Sequence, residues 1–147
     1  MPRPKKCRKV CCLPRVKEFL PAQESGAFPE VVVMFGICLG HQLTALALEG
    51  KTYKLKYGHR GVNQPVRDQN GPRTFITSQN HGYAVDSDSV KVGKISFANA
   101  NDGTCEGIDY PELNAFTVQF HPEACTGPKD TGFLFDRFVA MMKGGVL

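Results

Sequence analysis

The pattern of hydrophobic and polar positions predicts short strands between one helix near the start of the patterned region and one helix at its end. The apolar, β-branched run at residues 31–35 is typical of a strand buried on both faces of a parallel sheet. Residues 41–49 suit a helix, and Gly50 is expected to end it as the C′ residue. A terminal helix is predicted over 131–142, where four apolar residues recur at helical spacing on its core-facing side: Phe133, Leu134, Phe138 and Met141.

The region between these helices is rich in strand signals. Asn70-Gly71 and residues 101–103 are typical hairpin turns, so two hairpins are expected. The strand candidates are 52–57, 62–67, 73–78, 91–98, 105–109 and 115–120. Mixed strands with helices at both ends predict an α/β layered domain.

Residues 1–30 differ from the rest of the chain. They contain five prolines, and only 16–20 could form a helical turn, so we predict a poorly structured basic lead-in to a domain spanning 31–147. Seven of the 18 Lys and Arg residues lie in the first 17 positions, which contain no acidic residue. The remaining eleven basic residues face 14 acidic ones, so the rest of the chain is net negative. A nucleic-acid partner is therefore not expected.

The sequence favours a cytoplasmic protein with reduced thiols. It has no run of eighteen apolar residues, and its basic start continues into Pro and Cys, so neither a membrane span nor a signal peptide is expected. The C-x3-C-C spacing at residues 7–12 has no nearby His and is not a standard zinc pattern. Cys105 and Cys125 are expected to be core or loop residues, although Cys125 is also a candidate oxidation partner of Cys38.

Candidate chemistry begins with Gly36-x-Cys38-x-Gly40, which lies between the first predicted strand and the first predicted helix. A nucleophile at a sharp strand-to-helix turn projects away from the sheet, and a Cβ at either flanking position is expected to clash in so tight a bend. The N-terminus of the helix should favour the thiolate and lower the pKa of Cys38. Backbone N–H groups at the same turn could donate to an oxyanion.

A thiolate nucleophile needs an imidazole partner, and four histidines are available. His121 follows a predicted strand, and Glu123 lies two residues on, where an extended backbone would bring both side chains to one side. His41 is expected to pack within the first helix. His59 is expected in a Gly-flanked loop, and His81 stands in the segment QNHG at 79–82. On spacing alone, a catalytic role for His121 is favoured only modestly over a histidine at a strand end that makes a surface ion pair.

Several segments taken together resemble the ordered motifs of class I glutamine amidotransferases, and more narrowly the small, glutamine-hydrolysing chain of carbamoyl-phosphate synthetase. The resemblance covers about residues 34–139. The segments are GICLGHQ at 36–42, GHRGVN at 58–63, SQNHGY at 78–83, DGTCEG at 102–107 and HPEA at 121–124.

This resemblance implies a glutaminase with a three-layer, flavodoxin-like fold and a mixed sheet. Cys38 would be the nucleophile, His121 the general acid/base and Glu123 the residue that orients it. The glutamine-binding residues implied by the same matching are Leu39, Gln42, Asn80, Gly82 and Tyr83.

The resemblance also implies partners and a pathway. L-Glutamine would be the substrate, and the ammonia would pass to a large synthetase subunit for carbamoyl phosphate synthesis, which feeds arginine and pyrimidine biosynthesis. This chain has no phosphate-binding loop, so no cofactor is expected in it, and ATP and Mg would belong to the large subunit.

The chain departs from the family in one respect. Members of the family carry further strands and a Gly-Pro-Gly loop before the cysteine strand, and the loop donates part of the oxyanion hole. Neither is expected here, so the sheet should lack its first strands. Loss of one oxyanion donor costs about 10²–10³ in rate. A catalytically impaired remnant that acts at most as a binding or interaction module is therefore the main alternative, and an unrelated cysteine hydrolase is a third.

Overall fold

A mixed sheet lies between two helices in the computed structural model, which describes residues 32–124 and 129–144. The elements in chain order are β1 (Met34–Ile37), α1 (Leu39–Ala47), β2 (Thr52–Asp68), β3 (Thr74–Val85), β4 (Lys94–Asn99), β5 (Cys105–Tyr110), β6 (Ala115–Val118) and α2 (Phe133–Met142). Short 3-10 turns occur at Ser87–Ser89 and Pro111–Leu113. The predicted lead-in at 1–30 falls outside the described residues.

The sheet combines one parallel pair with several antiparallel pairs. β1 runs parallel to β6, so their carboxyl ends lie at the same edge of the sheet. β5 pairs antiparallel with both β6 and β4, and β2 pairs antiparallel with both β3 and β4. One further bridge, between Val85 and Cys105, joins β3 to β5. The α/β class and the mixed sheet are thus confirmed.

The two helices cover opposite faces of the β1–β6 pair. On one face, Phe35, Phe116 and Val118 pack with residues of α2 in a cluster that includes Leu134 and Met141. The other face has a second cluster, to which α1 contributes Ala45 and to which Leu48, the residue that follows α1, also belongs. The strands contribute Met34, Ile108, Tyr110 and Ala115 to this cluster. β1 therefore has apolar contacts on both faces, although its side chains are only partly buried. It begins at Met34, so residues 32 and 33, which the sequence pattern places in this strand, precede it.

The region between the helices is more continuous than predicted. Both hairpins are confirmed, but the candidates 52–57 and 62–67 form the single long strand β2. β2 has two register irregularities against β3, and Gly58 and Gly61 near them have φ of 73° and 124°. The strand predicted at 73–78 continues to Val85, because the first part of β2, from Thr52 to Gly61, provides a partner for its second part.

The helix ends also differ from expectation. α1 ends before Glu49, and Glu49, not Gly50, has the left-handed φ of 65°. Gly50 instead donates its N–H to the carbonyl of Ala45 at 2.8 Å, and a Cβ there would lie 2.9 Å from that oxygen. In α2, Phe133 is 43% exposed, so it is not a core residue, contrary to the prediction. Its ring packs against that of Phe75, with the ring centroids 5.3 Å apart.

Among the described residues, neither helix has the length and apolar character needed to cross a membrane.

Candidate active site

Cys38 lies on the sharp turn between β1 and α1. Its φ of 52° and ψ of −103° are unusual for a residue with a side chain. Its backbone N–H donates to the carbonyl of Val118 at 2.8 Å, which ties the turn to the end of β6. A Cβ on Gly36 would lie 2.8 Å from Thr117 Cγ2 and 3.2 Å from the Gly40 backbone, so this glycine permits the bend.

The expectation for the second flanking glycine is wrong. A Cβ on Gly40 would meet no atom within 4 Å. Gly40 already lies in the first turn of α1, and the space beside it is open. Only the glycine on the strand side of the cysteine is required by packing.

The sulfur of Cys38 is half-buried and has a polar neighbour. Gln119 Nε2 donates to Sγ at 3.6 Å. Burial raises the pKa of the Cys38 thiol, the nearby charges of Glu123 and Glu106 raise it further, and the Leu39 N–H and Gln119 oppose them. The predicted lowering of this pKa by the start of the helix is therefore wrong, because desolvation outweighs the backbone donor.

His121 and Glu123 form a pair just beyond the end of β6. Their Nδ1 and Oε1 atoms lie 2.8 Å apart. The backbone there is a turn, with Ala124 N–H donating to the His121 carbonyl, and not the extended segment that was assumed. The His121 N–H donates to Ser78 O at 2.9 Å, which fixes the segment to β3.

The two halves of the candidate catalytic group lie at one edge of the sheet. Cys38 follows β1 and His121 follows β6, and these strands are parallel neighbours. The charge of Glu123 contributes to the raised pKa of Cys38, so the pair lies within electrostatic reach of the sulfur. The assignment of roles to the three residues stays a prediction.

The residues predicted to bind glutamine lie on α1 and β3. Leu39 is 61% exposed, and Asn80 and Tyr83 are exposed on β3 with the half-buried Gly82 between them. Gln42 joins the two elements, since its Nε2 donates to Tyr83 O at 2.9 Å and to Gln119 Oε1 at 2.8 Å.

The other histidines have different surroundings from one another. His41 is fully buried, as expected, and pairs with Thr117 Oγ1 at 2.9 Å, and burial lowers its pKa to about 3. His59 lies on β2 and not in a loop, and His81 lies on β3. Cys105 is buried as predicted, and Cys125 lies outside the described residues.

Two buried polar residues near the site, Gln119 and Glu106, have no role predicted from the sequence. Glu106 has no exposed surface, and its carboxylate accepts hydrogen bonds from His59, Gln79 and Asn99. The only available signal was its position in the 102–107 motif. One ligand atom each from His59, His81 and Glu106 lie within 4.8 Å of one another, but each residue is already engaged in hydrogen bonds.

A cysteine on a strand-to-helix turn, a His–Glu pair after the neighbouring parallel strand and a sheet between two helices define the class. The chain belongs to the class I glutamine amidotransferases: the family model Glutamine amidotransferase class-I matches residues 18–141. That match begins within the predicted lead-in.

Within this family, the chain is similar to curated relatives that are carbamoyl phosphate synthase small chains. The chain is 53% identical over 114 residues to that of Staphylococcus epidermidis, an alignment covering 76% of this chain and 31% of the relative. It is 56% identical over 108 residues to that of Clostridium acetobutylicum, covering 72% and 31%. The chain thus spans about a third of the length of these relatives.

Solved structures support the fold. A glutamine amidotransferase from Thermotoga maritima aligns with a TM-score of 0.57 and 21% identity, covering 89% of this chain and 57% of that chain.

Proposed function

We propose that this chain hydrolyses L-glutamine and releases ammonia for carbamoyl phosphate synthesis. The observation that carries the proposal is the position of Cys38 and the His121–Glu123 pair at the carboxyl ends of neighbouring parallel strands. The similarity to carbamoyl phosphate synthase small chains supports the reaction and the destination of the ammonia.

The raised pKa of Cys38 makes proton transfer part of the proposed first step. Because the thiol holds its proton at neutral pH, His121 takes that proton as Sγ attacks the amide carbon of glutamine. The imidazolium, oriented by Glu123, then protonates the departing nitrogen, and ammonia leaves as the thioester forms. Water adds to the thioester, giving glutamate and the free thiol. The Leu39 N–H donates to the oxyanion in both steps.

The substrate lies between α1 and β3 in this proposal. The exposed Leu39 side chain covers one side of glutamine, and Gln42 lies beside it. Asn80, Gly82 and Tyr83 form the opposite wall and hold the amino-acid head group through backbone atoms. The ammonia passes to a large synthetase subunit that holds ATP and Mg, in the cytoplasm, and the chain itself uses no cofactor.

The test is a glutaminase assay on the full chain, alone and with a large synthetase subunit. We expect glutamate and ammonia in equal amounts, and a loss of at least about 10³-fold in Cys38→Ala, because the nucleophile is removed. Cys105→Ala is the matched control, since Cys105 is the other free cysteine among the described residues and is buried.

A glutamine analogue carrying an electrophile should also label Cys38, as read by mass spectrometry, and not label Cys105. Absence of both turnover and labelling, with and without the large subunit, would support the catalytically impaired alternative.

A further inference from the structure

A row of hydrogen bonds crosses the domain from a surface turn to β3. His59 Nε2 lies 2.9 Å from Asp102 Oδ2, and His59 Nδ1 lies 3.2 Å from Glu106 Oε1. The other oxygen of Glu106 accepts from Gln79 Nε2 at 3.1 Å. Gln79 Oε1 lies 3.0 Å from His81 Nε2. Consecutive contacts share a side chain, so the row of contacts is continuous from Asp102 to His81.

The same row continues to the candidate nucleophile. His81 Nδ1 donates to the carbonyl of Tyr83 at 2.7 Å, and that oxygen also accepts from Gln42 Nε2 at 2.9 Å. Gln42 Nε2 also donates to Gln119 Oε1 at 2.8 Å, and Gln119 Nε2 donates to Cys38 Sγ at 3.6 Å. The orientation of the groups next to the sulfur therefore depends on how His81 is held.

The direction of each hydrogen bond follows from its partners. Both nitrogens of His59 face carboxylates, so the ring makes both contacts only as a cation. Glu106 accepts only, so Gln79 must turn its amide nitrogen toward Glu106 and its oxygen toward His81. His81 keeps both of its contacts, with Gln79 through Nε2 and with the Tyr83 carbonyl through Nδ1, only when the ring is doubly protonated, a form that burial opposes and the charge of Glu106 favours. A neutral ring at residue 59 would lose one of its two carboxylate contacts.

The surroundings of the two rings favour a tight coupling. The His59 side chain is 13% exposed, and Glu106 is fully buried. The two imidazole rings lie edge to face with centroids 5.0 Å apart. The charged or titratable groups acting on His81 are Glu106, His59 and, more weakly, His121. Removal of one side chain from this row therefore changes the hydrogen-bond partners that remain for the next side chain.

We propose that His59 is a positioning residue for the glutamine site. It fixes Glu106, and through Gln79 it fixes the ring of His81. His81 in turn holds the Tyr83 carbonyl in the wall that faces the substrate. His59 acts through these residues and does not touch the reacting atoms. This inference rests on the proposed glutaminase function.

The test is the split between KM and kcat in His59→Gln. We expect the KM for glutamine to rise at least tenfold, because the β3 wall that binds glutamine before the reaction loses its order. The kcat should change less than threefold. Lys91→Ala is the matched control, because it removes an exposed ion pair with Glu49 that is outside the row. A change confined to kcat, or an equal KM change in the control, would overturn the proposal.

Asp102→Asn gives a second test if His59→Gln does not fold. Asp102 is 45% exposed, so the variant leaves the buried packing intact and removes only the outer charge that holds His59. We expect a two- to fivefold rise in KM in the same direction. An unchanged KM in this variant would count against the proposal.

A spectroscopic arm separates this inference from the proposed function. In chain labelled with ¹⁵N-histidine, the ring signals of His81 should move in His59→Gln and stay in place in Lys91→Ala. If the wild-type chain shows no turnover, the proposed function fails, but these spectra still decide whether His59 holds His81. His81 signals that are identical in His59→Gln and wild type would refute the positioning role.

Discussion

The half-buried Cys38 sulfur illustrates how desolvation sets reactivity at a single residue. One backbone donor and one amide face it, and two carboxylates act against its ionisation. Burial is the largest influence, so the free protein holds a thiol at neutral pH. This state suits a mechanism in which the proton leaves during attack and not before it.

The pH dependence of alkylation checks this conclusion. We expect iodoacetamide to modify Cys38 slowly at pH 7 and about tenfold faster for each pH unit until the pH reaches the raised pKa of the thiol, since only the thiolate reacts. Cys105, whose pKa burial raises to about 12, is the internal control and should stay unmodified. Peptide mass spectrometry gives both rates. Rapid modification of Cys38 at pH 6 would contradict the raised pKa.

The site residues differed in how much their sequence revealed. Cys38, His121 and Glu123 stand in short local motifs, and the contact between the last two needs only neighbouring residues. Gln119 and the raised pKa of Cys38 could not be predicted, because both depend on how β1 and β6 pair across a long sequence separation.

At the scale of elements, the strand-to-helix turn at Cys38 depends on one of its two glycines. Gly36→Ala should destabilise the fold by about 1–3 kcal/mol and displace the turn, because the new methyl group would overlap Thr117. Gly40→Ala should leave the fold unchanged or stabilise it by up to about 1 kcal/mol, since the site is open and helical. Chemical denaturation of both variants gives the comparison, and equal losses would contradict it.

The strands show where local patterns are sufficient and where they are not. Both hairpins follow from their turn residues, and the terminal helix follows from its spacing. The joining of two candidates into β2 does not, because Gly58 and Gly61 read as breaks although each permits an irregularity within a continuous strand. For the same reason, the sequence predicts a loop at His59, which lies within β2.

At the scale of the whole molecule, the His59 pair with Glu106 and Asp102 links stability to pH. Hydrogen bonding to Glu106 is the largest influence that raises the pKa of His59, to about 9, from an ordinary value of 6.5. Because the pKa of His59 is raised in the folded state, the contribution of His59 to the free energy of unfolding is fully present below about pH 6.5. That contribution decreases above it and is lost as the pH rises through about 9.

The corresponding experiment compares thermal unfolding of wild type and His59→Gln between pH 6 and 10. The wild type should have the higher Tm at pH 6, and the gap should shrink as the pH passes 9, because the wild-type imidazolium loses its proton while Gln does not titrate. Lys91→Ala should show no such narrowing over this range. A gap that widens with pH would contradict the raised pKa.

The layered arrangement of the molecule was predictable because the apolar run of β1 and the spacing of α2 each specify a buried face. The polar row through Glu106 was not, since a buried carboxylate is recognised only after the strands that surround it are assembled.

The positive φ of Cys38 implies that fold stability and catalysis favour different residues at this position. A residue with a side chain held at such a φ costs of order 1–3 kcal/mol, which the rest of the domain must offset. Cys38→Gly should relieve that strain and lose only about 0.5–1 kcal/mol to the greater freedom of the unfolded chain. We therefore expect a protein that melts at a higher temperature and has lost its nucleophile, which a thermal scan beside an activity assay would reveal.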